Sequence, residues 1–183
     1  MVWHLLFGSI ARRRIAHGIY HSAVVRAREP LFYNSFGVFD SLDGRFDMIS
    51  IHVFLVLHRL KAGSRTARRL GQDIFDIMFS DMDRSLREIG VGDLSVGRKV
   101  KAMAKALNGR IVNYDKGLHQ QVSLEEALMR NLYRGQKTHD RILSSMAQYM
   151  RETSAYLNQQ SESDILKGHI NWGPLPNVPR REG

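Results

Sequence analysis

The chain has no cysteine in its 183 residues. That excludes a disulfide framework, a thiolate metal site and a cysteine nucleophile; it fits a reducing compartment and lends no support to secretion. Long apolar runs are missing as well. The longest, Met48 to Leu57, has ten residues and includes Ser50 and His52, against the about 20 that a spanning helix needs. Proline stands only at positions 30, 174, 176 and 179, marking a helix stop and an extended tail. No acidic residue precedes Glu29. Apolar Val2 to Phe7 nonetheless comes before Arg12, Arg13 and Arg14, the reverse of the charge-then-apolar order of a secretory signal. An Arg-rich mitochondrial presequence is the competing reading, although helical apolar spacing begins by Ile15 and leaves little chain to remove.

What is present describes an ordinary globular domain. Hydrophobic residues make up 43% and charged residues 25%, near the averages for soluble folds, so neither wholesale disorder nor a membrane-embedded body is indicated. At this length one core suffices and buries roughly 70% of the unfolded chain's surface. Lys and Arg number 27 against 18 Asp and Glu, a net charge of +9. The resulting positive field favours anionic partners, nucleic acid or an anionic bilayer surface, without choosing between them.

Spacing predicts helices throughout. Ile15, Ile19, Ala23, Val24 and Ala27 form an apolar stripe on a basic helix that Pro30 should stop. Residues 31–43 read as a connecting loop with one helical turn near Phe32 to Phe36. Gly44 to Lys61 is apolar on nearly every side, the pattern of a central buried helix. Gly63 and Ser64 form a stop and a new N-cap. From Arg65 to Ile89 the residues Leu70, Ile74, Ile77, Met78, Met82 and Leu86 step by three or four, leaving Asp73, Asp76, Asp81 and Asp83 as a solvated face. Gly90 to Ser95 is a joint, with Asp93 or Ser95 capping a helix that turns Val96, Val100, Met103, Ala104 and Leu107 inward. Ser123-Leu-Glu-Glu126 is a capping box. A further helix is expected over 138–157, with Ile142, Met146, Tyr149 and Met150 inside, and a short one after Ser161. The expected fold is all-α: a single compact domain of about six to eight helices over 15–170, with the central helix near 44–61, a basic extension at 1–14 and a Pro-containing tail at 171–183.

Catalytic and cofactor motifs fail on inspection. Gly92 to Lys99 approaches phosphate-loop spacing, but Arg98 stands for the Lys, Lys99 for the magnesium-binding hydroxyl, and a helix rather than a strand precedes it. His17 and His21 lie four apart without the Glu of a zinc motif and read as surface histidines. His139-Asp140 lacks partner histidines at suitable intervals, and Asp140 suits a helix start. No enzyme, cofactor, metal site or small-molecule substrate is expected. Two features remain. Arg98, Lys101 and Lys105, flanked by Lys99 and Arg110, form a basic ridge on one side of a helix, with only Asp115 opposing them over 95–118. Leu31 to Phe39 is rich in rings that either face a partner or cap the core. A nucleic-acid-binding helical domain stays open on charge, with pI ≈ 10.2, although base-reading and stacking motifs are missing from the ridge.

Phe32-Tyr33, Gly37 to Asp47 and His52 to Leu57 together resemble the first signature of the ubiquinol–cytochrome c chaperone family. Phe75 to Gly97, continuing into Lys99-Val100-Lys101, resembles the second. The likeness covers about residues 19 to 118. The chain departs from the pattern at Phe39, where Pro is expected, at Ile89, where Met is expected, and at Leu107-Asn108, where Phe-Tyr is expected. These changes keep apolar character or loop position and bear on local client contacts rather than on the fold. The resemblance implies an all-helical assembly factor for the respiratory cytochrome bc complex that holds newly made cytochrome b, its client, without making or breaking bonds. It places the protein peripherally on the cytoplasmic face of a bacterial inner membrane, or on the matrix side of the mitochondrial one. Mitochondrial members also have a small partner chaperone and contact the ribosome. On this reading Phe32, Tyr33, Phe36, Phe39 and Arg45 face the client. Arg98, Lys99, Lys101, Lys105 and Arg110 face anionic lipid or the ribosome.

Overall fold

A computed structural model describes residues 2–136 and 138–178; residues 179–183 of the expected tail lie outside the described residues. Eight helices and no strand occur among them: α1 (Val2–Ala27), α2 (Pro30–Asn34), α3 (Leu42–Lys61), α4 (Arg65–Glu88), α5 (Asp93–Leu118), α6 (Leu124–Asn131), α7 (Asp140–Gln159) and α8 (Glu162–Ile165). The all-helical expectation holds. Helix α3 touches α1, α4, α5 and α7, and every residue from Phe46 to Val56 is buried. Its all-round apolar surface is matched by neighbours on all sides. Helix α1 also lies along α4, and α6 bridges α5 and α7.

Local chemistry sets the helix starts. The hydroxyls of Ser41, Ser64, Ser123 and Ser161 accept the backbone N–H groups of Gly44, Ala67, Glu126 and Asp164, each such cap contributing about 1 kcal/mol. The capping box at Ser123 forms by half: the Ser123 hydroxyl donates to Glu125, 3.2 Å away, and Glu125 also accepts from Arg151 of α7. Gly92, not Asp93 or Ser95, is the N-cap residue of α5; the Asp93 carboxylate is drawn instead to Arg87. The α4–α5 joint turns on Gly90 at φ +83°, a left-handed conformation that favours glycine. At the entrance to α3 a Cβ on Gly44 would sit 2.0 Å from the carbonyl oxygen of Phe39, so the chain can fold back over the helix start only with glycine there.

The acidic face of α4 needs correction. Asp73 and Asp81 are partly buried, because α1 lies across them: Arg12 pairs with Asp73, and the Tyr20 hydroxyl donates to Asp81 at 2.8 Å. Burial, then the Asp81 carboxylate, pushes the Tyr20 phenol far above its ordinary pKa. Helix α1 runs through position 14 without a break. Residues 171–178 form no helix, as expected, but they dock on the core. Trp172 donates to Ser22 at 2.8 Å, and Arg26 donates to the carbonyls of Gly173 and Pro174.

Beneath that segment runs a buried polar chain. His52 Nδ1 lies 2.8 Å from the Met48 carbonyl. A carbonyl can only accept, so Nδ1 carries the proton and Nε2 accepts from the Tyr149 hydroxyl at 2.8 Å. Arg26 Nε donates in turn to the Tyr149 oxygen at 3.0 Å. Burial first, and then the Arg26 charge, outweigh the Met48 hydrogen bond and lower the His52 pKa to about 4.

Candidate functional site

The aromatic segment divides between core and surface. Phe32 and Phe36 are fully buried, which corrects their expected place on a client-facing surface. Phe32 packs against His52 and Tyr149 at ring-centroid distances of 5.6 and 5.4 Å, and the carbonyl of Phe36 accepts the Tyr133 hydroxyl at 3.0 Å. Phe32 lies on the short helix α2 and Phe36 just past its end; both rings turn inward, and each would leave a large cavity if turned out. Tyr33 is half-buried, its hydroxyl donating to the Ala27 carbonyl at 2.8 Å. Phe39 is exposed, and so is Arg45, which donates to Asp40 at 2.6 Å. Of the five residues, only these last two are open to a partner.

The basic ridge divides in the same way. Arg98, Lys99, Lys101 and Lys105 are exposed. Arg110 is not: its side chain is 13% exposed and meets Asp47, 1% exposed, at 2.7 Å. At about 100° per residue it lies about 120° around α5 from Arg98, on the side of Leu107 and Tyr114. It is therefore a core-anchoring residue, and its expected place on lipid or ribosome is corrected. Asp47 also accepts from Arg134 Nε and Nη2 at 3.2 and 3.1 Å, and Arg134 reaches Asp43 at 2.8 Å. Burial still outweighs both guanidiniums and pushes the Asp47 carboxyl up to about 6. The first signature's acids thus tie α3 to α5 and to the turn that follows α6.

The outward face of α5 is continuous. Leu94, Arg98, Lys101, Lys105 and Val112 follow one another at helical steps of three, four or seven, and all are exposed, Leu94 by 99%. No acid occurs between Asp93 and Asp115, and among the described residues no ion pair engages Lys99, Lys101 or Lys105. Ile89 is exposed at the adjoining α4–α5 corner. Sequence reading found the cations but missed the apolar residues in line with them; the signal was Leu94 standing four residues before Arg98. A cationic stripe with exposed apolar residues along it can lie on an anionic, amphipathic surface.

The remaining motifs resolve simply. Gly97, Arg98 and Lys99 lie within α5, so Gly92 to Lys99 is a helix joint. His17 and His21 are exposed on α1. A depression of about 370 Å³ lies between α3, α4 and α5, with Leu57, Leu60, Gly71 and Phe75 in its wall and Lys61 and Arg68 at its edge. His58, Asp115 and His119 could hold a metal ion; Asp115 and His119 stand four apart, but His58 lies 57 positions before Asp115, so local spacing could not announce the cluster. No helix among the described residues is long and apolar enough to cross a membrane.

Fold and surface together define an all-helical domain with a cationic outer face. The same architecture occurs in the crystal structure of the Cbp3 homolog from Brucella abortus, with a TM-score of 0.83 and 32% identity over 95% of this chain and 97% of that one. The chain belongs to the ubiquinol–cytochrome C chaperone family, which it matches over residues 34–172. Ubiquinol-cytochrome-c reductase complex assembly factor 1 of Xenopus laevis is 25% identical over 86% of this chain and 80% of its own length. The Mus musculus protein of that name is 26% identical over 86% of this chain and 54% of its own length.

Proposed function

We propose that the chain is an assembly chaperone of the ubiquinol–cytochrome c reductase complex, holding newly made cytochrome b by reversible contact while α5 lies on an anionic membrane surface. The observation that carries the assembly role is the likeness, over 86% of the chain, to assembly factors of that complex. The client is an integral membrane protein, so its chaperone works at the bilayer, and no described helix spans one. Peripheral attachment then falls to surface chemistry. Lysines and arginines near an anionic bilayer contribute ~1 kcal/mol each, and Leu94 and Ile89 can enter the boundary between headgroups and acyl chains. Phe39 and Arg45, both exposed in the first signature, are the residues offered to the client. No cofactor or small-molecule substrate enters this role.

A nucleic-acid-binding role fits the charge less well. Base stacking needs exposed rings, and the single aromatic of α5, Tyr114, is buried. The deciding experiment is a pull-down of the tagged chain from detergent-solubilised cells of its host, with nuclease treatment. Cytochrome b should be enriched and should survive nuclease; RNA enrichment without cytochrome b would overturn the proposal. Flotation with phosphatidylglycerol vesicles, against phosphatidylcholine vesicles, tests the membrane face. Equal binding to both would remove it.

A further inference from the structure

Helices α3 and α5 end side by side, and their last turns bring three metal-ligating side chains together. His58 comes from α3, Asp115 and His119 from the end of α5, and one ligand atom from each lies within 4.8 Å of the other two. His58 Nε2 is 3.4 Å from Asp115 Oδ1, long for a hydrogen bond. It matches the edge of a tetrahedron with metal–ligand bonds of about 2.0–2.1 Å, which is about 3.3 Å. Asp115 and His119 stand four apart on one helix face. His119 Nδ1 lies 2.8 Å from the Asp115 carbonyl, which can only accept, so Nδ1 holds the proton and Nε2 keeps a free lone pair. Such a backbone bond to the non-coordinating nitrogen is the usual support of a metal-ligating imidazole.

The surroundings favour a cation. Both helices point the negative ends of their dipoles at this spot. Lys61 Nζ lies 3.9 Å from Asp115 Oδ2 but is 76% exposed, free to swing into water when an ion enters. His58 is partly buried beside Phe54, with the Asp115 carboxylate as its charged neighbour. Two imidazoles and one carboxylate select a borderline transition ion over magnesium or calcium, which take oxygen.

We infer that His58, Asp115 and His119 form a three-ligand site for a divalent transition ion of the zinc class, which clips the C-terminal ends of α3 and α5. The fourth position is open to water or to a ligand from a partner. The inference is independent of the proposed chaperone role.

The test titrates the full-length, tag-free chain with cobalt(II) and then displaces it with zinc. One equivalent of cobalt should give the intense visible bands of tetrahedral coordination, and zinc should bleach them. His119 is exposed, so His119→Ala keeps the fold; it should weaken binding at least about tenfold and abolish the zinc-dependent rise in Tm. The paired variant His17→Gln/His21→Gln, at the exposed histidines of α1, should change neither. The site is refuted if the wild-type chain shows no tetrahedral spectrum, if His119→Ala binds as tightly as wild type, or if binding follows His17 and His21 instead.

Discussion

Arg110 and Lys105 stand five residues apart on one helix and carry the same charge, yet they do opposite things. Arg110 points inward, is mostly covered, and meets a carboxylate that is itself withdrawn from water. Lys105, with Arg98 and Lys101, keeps its charge in solvent on the outward face. The inward cation belongs to the structure: together with Arg134 it lets Asp47 sit inside the core. The outward cations are available for other work, because hydrated charges of one sign contribute little to folding. A basic helix can therefore be half scaffold and half contact surface, and charge counts do not separate the halves.

The contrast can be broken most directly from the inside. Asp47→Ala leaves Arg110 buried without its anion and should cost about 3–5 kcal/mol of unfolding free energy by urea titration. A loss below about 1 kcal/mol would show that the inward face is not held by this pair. Next in size is the pH response of the core. His52 has a folded pKa of about 4 against an unfolded 6.5, so its contribution is fully present above pH 6.5 and is lost as pH falls through 4. The stability of wild type relative to His52→Phe should drop by about 3 kcal/mol over that window. Asp47 runs the other way. Its pKa is raised to about 6, so its contribution is present below the ordinary carboxylate range and lost as pH rises through 6. Only the difference between wild type and the His52 variant isolates the histidine.

The outer face should behave in the opposite manner. Lys101→Ala/Lys105→Ala should shift unfolding by less than about 0.5 kcal/mol per site. In phosphatidylglycerol vesicle binding it should lose ~2 kcal/mol, roughly 30-fold in affinity. A destabilised fold with unchanged vesicle binding would reverse the assignment of the two faces. Smallest is Leu94→Ser, which removes one exposed apolar side chain. Its unfolding curve should overlay that of wild type while vesicle affinity falls several-fold, and unchanged flotation would restrict the contact to charge alone.

Much of the fold was legible because it is local. The unbroken apolar surface of α3, the stripe of α4, the serines at helix starts and the glycine joint at 90 each express their conformation within a few residues. The contact face was half legible: Arg98, Lys101 and Lys105 share a stripe by spacing alone, and the same geometry places Arg110 beside Leu107 and Tyr114. Phe32 and Phe36 could not be told from Phe39 in an aromatic run, since a ring's pattern is the same whether it seals a core or offers a surface. The pairing of Tyr20 with Asp81, and the cluster of His58, Asp115 and His119, depend on helices far apart in the chain.

Composition and periodicity were enough for an all-α domain, its buried central helix and its cationic character, because each rests on propensity and spacing within single helices; the family likeness rests instead on the two signature runs, read residue by residue. Which charges are spent inside and which remain outside was settled by packing. The Asp47 carboxylate is buried where α5 supplies Arg110 as its partner, and that helix's position is a property of the assembled fold.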